Sequence, residues 1–495
     1  MKFCIALLAG LCGLWSSHGL AEPRHNAPLP ATVHKALRQA QVPARHLSVL
    51  VVPLPVASDE APRPRLAHHD QDLVNPASVM KLFTTYAGLQ LLGPDFTWRN
   101  RVYVDGSVQG GVLQGNLIVR GSGDPKLVIE RLQDLIGQIM AQGVREVRGH
   151  IVLDRSVFDV AAPTTPFDDE PLRPYNASPD GLLLNFKSVI YTFTPDPANG
   201  RARVRSEPPL AGLAVPADVP LRNAPCQDWR SELRADFSQN LQTRFAGSYP
   251  ASCGERAWPV AYPQPDDYAP RVFQALWQQA GGQLTGQVLY GQTPPQARLL
   301  LQAPSLTLGE VIADINKFSN NVMAQQLFLT LSSELGAPGR FAASRLRLEQ
   351  WWRNRFPGLP LPVLDNGSGL SRSERSTVRA LTALLQKASQ GQEATAFRNS
   401  LSIAGVDGTT ARLKERLPGA GAIGKAWLKT GSLRDVASVA GYVQGDSGRL
   451  YTLVAVLNHP NAQQARPALD ALLEWTVRDT ATKALGTTPS SHTGQ

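Results

Sequence analysis

The sequence of 495 residues has little cysteine and lacks the spacing of common metal sites. Its four cysteines lie far apart, and its cysteines and nine histidines form neither a Cys-x-x-Cys nor a His-x-x-x-His pattern. Protein zinc sites usually show such closely spaced ligands. His68, His69 and Asp70 are adjacent and could offer ligands, but we interpret them as solvated surface at a strand end. The sequence therefore predicts no metal and no other cofactor.

Long apolar runs are also scarce. Beyond the first residues, no stretch is long and apolar enough for a transmembrane helix. Residues 1–21 have the pattern of a cleaved signal peptide, with a cation at Lys2, an apolar core over residues 3–15 and a small residue at Ala21. We therefore expect a protein that is exported to the periplasm and has no transmembrane anchor.

Charge is modest and is not concentrated in one region. The chain has 49 Lys and Arg against 40 Asp and Glu, a net charge of +9. Such an excess favours contact with an anionic polymer or membrane surface. No basic run and no basic patch with interleaved aromatic residues occurs, so the sequence predicts no nucleic-acid binding. We interpret the excess as a generally basic, solvated surface, and the oligomeric state stays open.

The first motif with chemical meaning is Ser78-Val79-Met80-Lys81. Pro76 suits a first helical turn, and the apolar residues that follow predict a buried helix. Residues three apart share a helix face, which would place the Lys81 amine beside the Ser78 hydroxyl. A serine becomes a useful nucleophile when a neighbouring base takes its proton, and burial or a second cation can lower the pKa of lysine enough for that role. Alone, this spacing arises by chance about once in 250 residues.

Two further motifs follow in the chain. Ser319-Asn320-Asn321 separates two helix-periodic apolar runs, residues 308–318 and 322–335, so it is predicted to be a turn between helices. Lys429-Thr430-Gly431 is predicted to lie on an edge strand, with a glycine where the backbone of a ligand could approach closely. The three motifs in this order are the signature of penicillin-binding proteins and class A β-lactamases.

With these motifs the chain resembles the class C low-molecular-mass penicillin-binding proteins, the D-alanyl-D-alanine carboxypeptidase/endopeptidase family. Residues 117–125, 365–372 and 405–409 are further phrases of that family. The resemblance implies a serine-type hydrolase that acts on peptidoglycan stem peptides and cross-links through an acyl-serine, and that binds β-lactam antibiotics covalently. Two alternatives remain, a β-lactamase and a non-catalytic cell-wall binding protein on the same scaffold. The balance of carboxypeptidase and endopeptidase activity stays open.

The catalytic candidates are Ser78, Lys81, Ser319 and Asn321. Ser78 would attack the carbonyl carbon with Lys81 as base, and the resemblance implies that Ser319 passes a proton to the leaving amine. Asn321 has both an amide donor and a carbonyl acceptor, so it could hold Lys81 and the substrate peptide bond. Asn321 could instead be a simple helix cap.

The substrate-binding candidates are Lys429, Thr430, Gly431 and Ser432. Lys429 would be a fixed cation that lowers the pKa of Lys81 and attracts the anionic end of the substrate. Thr430 could bond a terminal carboxylate, or it could be ordinary strand packing. By analogy with the family, the backbone N–H groups of Ser78 and Ser432 would form the oxyanion hole.

The predicted fold is α+β and multidomain. Five predicted strands, at residues 47–52, 65–73, 425–433, 437–444 and 450–457, come from both ends of the chain. We expect them to form one five-stranded antiparallel sheet flanked by helices between residues 308 and 389 and a last helix from about residue 466, as in the β-lactamase/transpeptidase-like domain that the resemblance implies.

Residues 97–303 are rich in proline, glycine and short β-like runs, which predicts inserted, mainly β material. The resemblance implies a catalytic domain at 22–96 and 304–484, a first insert at 97–183 and 258–303, and a nested insert at 184–257. Residues 485–495 are polar and are expected to be a disordered tail. Cys226 and Cys253 would be the two cysteines of the exported chain, so we expect a disulfide, with two free thiols as the alternative.

Overall fold

The structure is a computed structural model, and it describes residues 27–55, 62–161, 166–239 and 241–480. The predicted signal peptide and the predicted tail lie outside these residues. Within them, the helices are α1 (Ala31–Gln39), α2 (Lys81–Leu92), α3 (Ile129–Ala141), α4 (Trp229–Glu232), α5 (Pro265–Gln279), α6 (Leu308–Lys317), α7 (Asn321–Ser333), α8 (Phe341–Arg355), α9 (Val378–Ala388), α10 (Ala394–Asn399), α11 (Leu413–Arg416) and α12 (Arg466–Val477). The strands are β1 (Leu47–Pro53), β2 (Leu66–His68), β3 (Thr97–Val104), β4 (Ser107–Gln109), β5 (Val112–Gln114), β6 (Leu117–Arg120), β7 (Glu146–Val147), β8 (Ile151–Asp154), β9 (Ser188–Asp196), β10 (Arg201–Glu207), β11 (Asp218–Arg222), β12 (Ala235–Gln239), β13 (Gln242–Phe245), β14 (Tyr249–Pro250), β15 (Arg256–Ala261), β16 (Gln283–Leu284), β17 (Val288–Tyr290), β18 (Arg298–Thr307), β19 (Ser402–Ile403), β20 (Ala426–Leu433), β21 (Val436–Gln444) and β22 (Leu450–Asn458).

The two ends of the chain form one antiparallel sheet in the order β19-β20-β21-β22-β1-β2. β1 pairs with β22 along its whole length, from Leu47 opposite Leu457 to Pro53 opposite Tyr451. The five predicted strands are present, but the predicted number is wrong because the two-residue strand β19 adds a sixth. β2 is shorter than predicted, since the chain turns at His69, which has a φ of 49°.

Both faces of this sheet are buried under helices, which explains its nearly continuous apolar strands. Val49 and Val51 pack in the core that includes α1 and α12. Leu50 and Val52 point the other way, into the core that includes α2 and α6 to α9. Side chains alternate between the faces of a strand, so a strand covered on both sides needs apolar residues at every position.

The inserted material lies between α2 and α6 and builds four further sheets. One pair has the orders β17-β8-β6-β3-β18 and β16-β7-β5-β4, and the other comprises β14-β11-β10-β9-β15 and the hairpin β12-β13. Residues of all four contribute to one hydrophobic core. One pair of sheets uses strands β3 to β8 and β16 to β18, and the other uses strands β9 to β15. This division of the strands favours the nested arrangement, which stays a prediction. β15 runs past the predicted end of the nested insert at residue 257, because it pairs with β9 through Ala261. The predicted disulfide joins Cys226 to Cys253.

The histidine pair at the end of β2 makes local contacts. His68 Nε2 lies 3.3 Å from the carbonyl oxygen of Ala44, and His69 Nδ1 lies 3.0 Å from a carboxylate oxygen of Asp72. Asp70 pairs with Arg379 at 2.7 Å. The described part of the chain contains no group of three His, Cys, Asp or Glu side chains placed to hold a metal ion. Nor does it contain a helix with the length and hydropathy needed to cross a membrane.

Candidate active site

Ser78 lies in a tight turn that leads directly into α2. The turn Ala77–Met80 is a 3₁₀ helix, and Ala77 has a left-handed φ of 48°. Asn75 holds this turn, because its Oδ1 accepts from the Ala77 N–H at 2.9 Å. From the sheet, the Ser438 hydroxyl donates to the carbonyl oxygen of Pro76 at 2.7 Å. Strained backbone fixed by its neighbours is common where a side chain must be aimed, here the Ser78 hydroxyl.

Lys81 is fully buried and joins three parts of the site. Its Nζ lies 2.9 Å from Ser78 Oγ and 2.6 Å from Asn321 Oδ1, and it also contacts the carbonyl oxygen of Ser368. Burial lowers the pKa of Lys81 well below its usual value, the charge of Lys429 lowers it further, and Glu374 opposes them. A neutral amine has two N–H groups and one lone pair. If Asn321 and Ser368 accept the two N–H groups, the lone pair faces the Ser78 hydroxyl.

The turn between α6 and α7 presents the second motif. Ser319 has a left-handed φ of 57°. The cap of α7 is Asn320, whose Oδ1 accepts from the Met323 N–H at 3.1 Å, so the alternative that Asn321 is the cap is wrong. Asn321, the first residue of α7, is free to use its side chain elsewhere. Its Oδ1 accepts from Lys81, and its Nδ2 donates to the carbonyl oxygen of Tyr175 at 3.3 Å.

Lys429 is also fully buried and holds the hydroxyl of the second motif. Its Nζ donates to Ser319 Oγ at 2.9 Å and to the carbonyl oxygen of Thr430 at 2.6 Å. Burial lowers the pKa of Lys429 to about 7. The charge of Lys429 lowers the pKa of Lys81, as predicted, and the role of Lys429 as a fixed cation stays a prediction.

At Gly431, strand β20 brings its backbone close to Ser78, the predicted nucleophile. A Cβ atom at this position would lie 2.6 Å from the carbonyl oxygen of Pro76 and 3.1 Å from the amide nitrogen of Ser78. Any side chain there would push the strand away from Ser78. In β20, β19 pairs with Trp427 and Leu428. The part of β20 from Lys429 onwards therefore has no partner in β19 and lies at the edge of the sheet, as predicted for the third motif.

A loop that the sequence motifs did not reveal provides a third hydrogen-bond partner for Lys81. Ser368 accepts from Lys81 within residues 365–369, a segment whose glycines predict only a turn. The buried Glu374 fixes this loop, since its Oε1 accepts the backbone N–H groups of Asp365, Asn366 and Gly367 at 3.0, 3.2 and 3.0 Å. Burial raises the pKa of Glu374, and these N–H groups oppose that shift.

A segment of the predicted insert that contains Phe167, Asp168 and Tyr175 borders the site. Arg372 pairs with Asp168 at 2.6 Å and with Asp435 at 2.5 Å, and its guanidinium lies 4.9 Å from the ring centre of Phe167. A cavity of about 490 Å³ between this segment and the catalytic domain is lined in part by Phe167, Tyr175, Asn366 and Arg372. Tyr175 connects the cavity to the site, because its carbonyl oxygen accepts from Asn321 Nδ2, but the residues of the three motifs do not line the cavity.

A match to a protein-family model shows the family of the chain. The model of the D-Ala-D-Ala carboxypeptidase 3 (S13) family matches residues 30–478. The chain belongs to that family. The predicted resemblance and the predicted class of enzyme, a serine-type D-Ala-D-Ala peptidase, are thereby confirmed.

Curated relatives and solved structures agree with this assignment. D-alanyl-D-alanine carboxypeptidase DacB of Haemophilus influenzae is 26% identical over 403 residues, which are 77% of this chain and 80% of that protein. The D-alanyl-D-alanine carboxypeptidase of an Actinomadura species is 30% identical over 399 residues, 76% of this chain and 72% of that one. The crystal structure of penicillin-binding protein 4 (dacB) from H. influenzae has a TM-score of 0.70 at 22% identity and covers 89% of this chain and 99% of its own. A complex of the same protein with a β-lactam has a TM-score of 0.65. The predicted α+β transpeptidase-like fold is confirmed.

Proposed function

We propose that this protein hydrolyses the D-alanyl-D-alanine bond of peptidoglycan stem peptides, and the equivalent amide of peptide cross-links, through an acyl-Ser78 intermediate. One observation carries the proposal. Two buried lysines each donate to one serine hydroxyl, Lys81 to Ser78 and Lys429 to Ser319, and Lys81 also donates to Asn321. Such a pairing provides one group to activate a nucleophile and another to protonate a leaving amine.

In the first step Lys81 is the base. Its neutral amine takes the proton of the Ser78 hydroxyl as Oγ bonds to the carbonyl carbon, and the carbonyl oxygen becomes an oxyanion. Burial and the charge of Lys429 lower the pKa of Lys81, which favours the neutral amine that this step needs. Asn321 and Ser368 then accept from the ammonium that forms, so the new charge stays hydrogen-bonded inside the protein.

In the second step the amide C–N bond breaks and the amine leaves with a proton. Ser319 donates its hydroxyl proton to the leaving nitrogen and recovers a proton from the ammonium of Lys429, which donates to Ser319 Oγ. The proton on Lys81 then passes to the neutral Lys429 by way of solvent, so that each lysine regains its starting state. Water attacks the acyl carbon, the neutral Lys81 takes a proton from that water and delivers it to Ser78 Oγ, and Ser78 leaves as the hydroxyl. The shortened peptide and the free amine are the two products.

The oxyanion would be held by the backbone N–H groups of Ser78 and Ser432. The close approach of Gly431 to the Ser78 amide supports this placement, since it brings the two backbone segments side by side. Fixed N–H donors of this kind stabilise the transition state of acyl transfer by about 3 kcal/mol each.

β-Lactam antibiotics are proposed covalent inhibitors that acylate the same serine. The β-lactam complex of the H. influenzae relative supports this assignment. A β-lactamase would need a carboxylate or similar base to release that acyl group quickly. Within the described residues no carboxylate bonds to Ser78 or Lys81, and Glu374 uses one oxygen to hold the loop at residue 368, which favours the peptidase. The action on peptidoglycan, together with the signal-peptide pattern, supports a periplasmic location.

Release of D-alanine from a stem peptide that ends in D-Ala-D-Ala tests the proposal. We expect steady turnover by the mature protein and at least a thousandfold slower release by Ser78→Ala, a loss of about 4 kcal/mol in transition-state stabilisation. Ser238→Ala, which changes a serine on β12 far along the chain in the inserted region, is the matched control and should keep full activity. Equal release by wild type and Ser78→Ala would overturn the proposal, and many turnovers of a penicillin would favour a β-lactamase.

A further inference from the structure

The residues that lead into the Ser319 turn are held by a distant part of the chain. Lys317 is the last residue of α6 and lies two positions before Ser319. Its Nζ donates to Asp407 Oδ2 at 2.5 Å, and its carbonyl oxygen accepts from Ser402 Oγ at 3.3 Å. Both partners belong to residues 400–410, which we call the clamp segment. This segment has no role in the steps described above.

Asp407 connects the end of α6 to the strand that carries Lys429. Its Oδ1 accepts from the Ile403 N–H at 2.7 Å. Ile403 belongs to β19, which pairs with β20 directly before Lys429. One carboxylate is therefore bonded both to Lys317, at the end of α6, and to the strand that pairs with β20.

These contacts form a closed ring around the predicted proton donor. The bond from Lys429 Nζ to Ser319 Oγ, at 2.9 Å, joins β20 to the turn after α6. Asp407 joins the same two elements through Lys317 and β19. Ser319 has a left-handed φ of 57°, and such backbone persists only where its surroundings hold it. The Asp407 carboxylate therefore limits how far the Ser319 hydroxyl can move from Lys429.

The clamp segment also packs closely against the end of α6. Gly408 has a left-handed φ of 54°, and an added Cβ would lie 2.6 Å from the carbonyl oxygen of Lys317. The buried Asn316 donates to Ser400 Oγ at 2.8 Å and to Thr85 Oγ1 at 3.3 Å. Thr85 lies on α2. The end of α6 is thus held between α2 on one side and the clamp segment on the other.

We propose that Asp407 is a positioning residue that holds the Ser319 hydroxyl at hydrogen-bond distance from Lys429. The inference rests on the proposed function, in which Ser319 gives a proton to the leaving amine and recovers one from Lys429. Asp407 acts through these two residues. Its effect should therefore depend on whether the leaving group needs a proton.

Two substrates with the same acyl group test this dependence. A stem peptide that ends in D-Ala-D-Ala releases an amine, which must be protonated as the C–N bond breaks. In the matched thioester a sulfur atom replaces the nitrogen of the cleaved bond, and a thiolate can leave without a proton because the pKa of a thiol is about 8.5. We expect Asp407→Asn to lower kcat/KM for the peptide about tenfold to a hundredfold, and that for the thioester by less than about threefold. Asp407→Glu, which keeps the carboxylate, should retain part of the peptide rate.

Lys317→Met removes the same contact from the other side and keeps the bond of Asp407 to Ile403. It should show the same selective loss on the peptide, and it decides the question if Asp407→Asn does not fold. The double variant should lose no more than the more affected single variant and should recover nothing. Recovery in the double variant would assign the loss to the unpaired charge of Lys317 and overturn the inference.

The matched control is Asp446→Asn. It removes an exposed ion pair of 3.2 Å with Lys425, the residue just before β20, and should leave both substrates unaffected. Equal losses on peptide and thioester in Asp407→Asn would assign Asp407 to general support of the fold and overturn the inference, as would an unchanged peptide rate. A wild type that cleaves neither substrate would contradict the proposed function itself, which separates the two failures.

Discussion

At the scale of the residue, the proposed mechanism divides the chemistry between two buried lysines, both with lowered pKa values. Lys81 must be neutral to accept the proton of Ser78, and Lys429 must be protonated to resupply Ser319. The pKa of Lys81 is well below its usual value, and that of Lys429 is about 7. The rate should therefore increase with the fraction of neutral Lys81 and fall as pH rises through the pKa of Lys429.

If Lys429 must be protonated for catalysis, the fall of kcat/KM at higher pH reports the deprotonation of Lys429. In the free enzyme we expect that limb near pH 7, the pKa of Lys429. Arginine does not deprotonate in proteins, so Lys429→Arg should move the limb to higher pH even if its maximal rate is lower. The measurement is kcat/KM for the D-Ala-D-Ala peptide between pH 5 and pH 10. An unchanged descending limb in Lys429→Arg would assign the limb to another group.

Single residues were predictable where chemistry fixes their spacing. Ser78 and Lys81 meet because positions three apart share a face, and the structure shows that contact. The pKa of Lys429 was not predictable, because it depends on burial by segments distant in the chain. The same holds for the carbonyl of Ser368, since a backbone oxygen leaves no trace in residue type.

At the scale of the element, β20 requires a residue without a side chain at Gly431. In Gly431→Ala the new Cβ would meet the carbonyl oxygen of Pro76 and the amide nitrogen of Ser78. We expect the strand to shift and acylation by penicillin to slow at least tenfold, with a stability loss of about 1 to 3 kcal/mol. The second-order acylation rate and urea unfolding measure these effects.

The matched control for Gly431→Ala is Gly137→Ala in α3, where nothing lies within 4 Å of the added Cβ. Because alanine favours the helix over glycine, Gly137→Ala should stabilise the protein by about 0.5 to 1 kcal/mol and leave acylation unchanged. Acylation by Gly431→Ala at the rate of the control would contradict the tight approach of β20 to Ser78.

Elements with a strong pattern were predictable and short ones were not. β21 and β22 are mostly apolar because helices cover both faces, and the turn-forming residues Gly445-Asp446-Ser447-Gly448 lie between them. β19 has only two residues, too few for any periodicity, so the sixth strand could not be foreseen. The end of β15 was also beyond sequence reasoning, because its length is set by its partner β9.

At the scale of the whole molecule, hydrogen bonds connect helix α7 to residues of the predicted insert. The buried Gln326 lies on α7 and donates to the carbonyl oxygens of Gly123 and Asp180 at 3.1 and 2.9 Å, while its Oε1 accepts from the Asp180 N–H at 2.9 Å. Asn321, on the same helix, donates to Tyr175. The insert thus helps to position α7, whose Asn321 accepts a hydrogen bond from Lys81. The resemblance implied inserts, but contacts between distant segments could not be inferred from residue types.

Gln326→Ala should loosen this connection. It leaves an N–H and two carbonyl oxygens of the insert without their partner, so we expect a loss of about 2 to 3 kcal/mol in the free energy of unfolding. The KM of the D-Ala-D-Ala peptide should rise, because the cavity beside Tyr175 lies between the insert and the catalytic domain. Urea unfolding and steady-state kinetics measure both. Unchanged stability and KM would show that the contact does not couple the two regions.

The central claim is that Ser78 is the residue that becomes acylated, and the most direct test locates the adduct. The mature protein is incubated with a penicillin, digested, and analysed by mass spectrometry, with Ser78→Ala treated in parallel. We expect one penicilloyl group per chain, on the peptide that contains Ser78, and no adduct in the variant. An adduct on any other residue, or none on the folded wild type, would contradict the account.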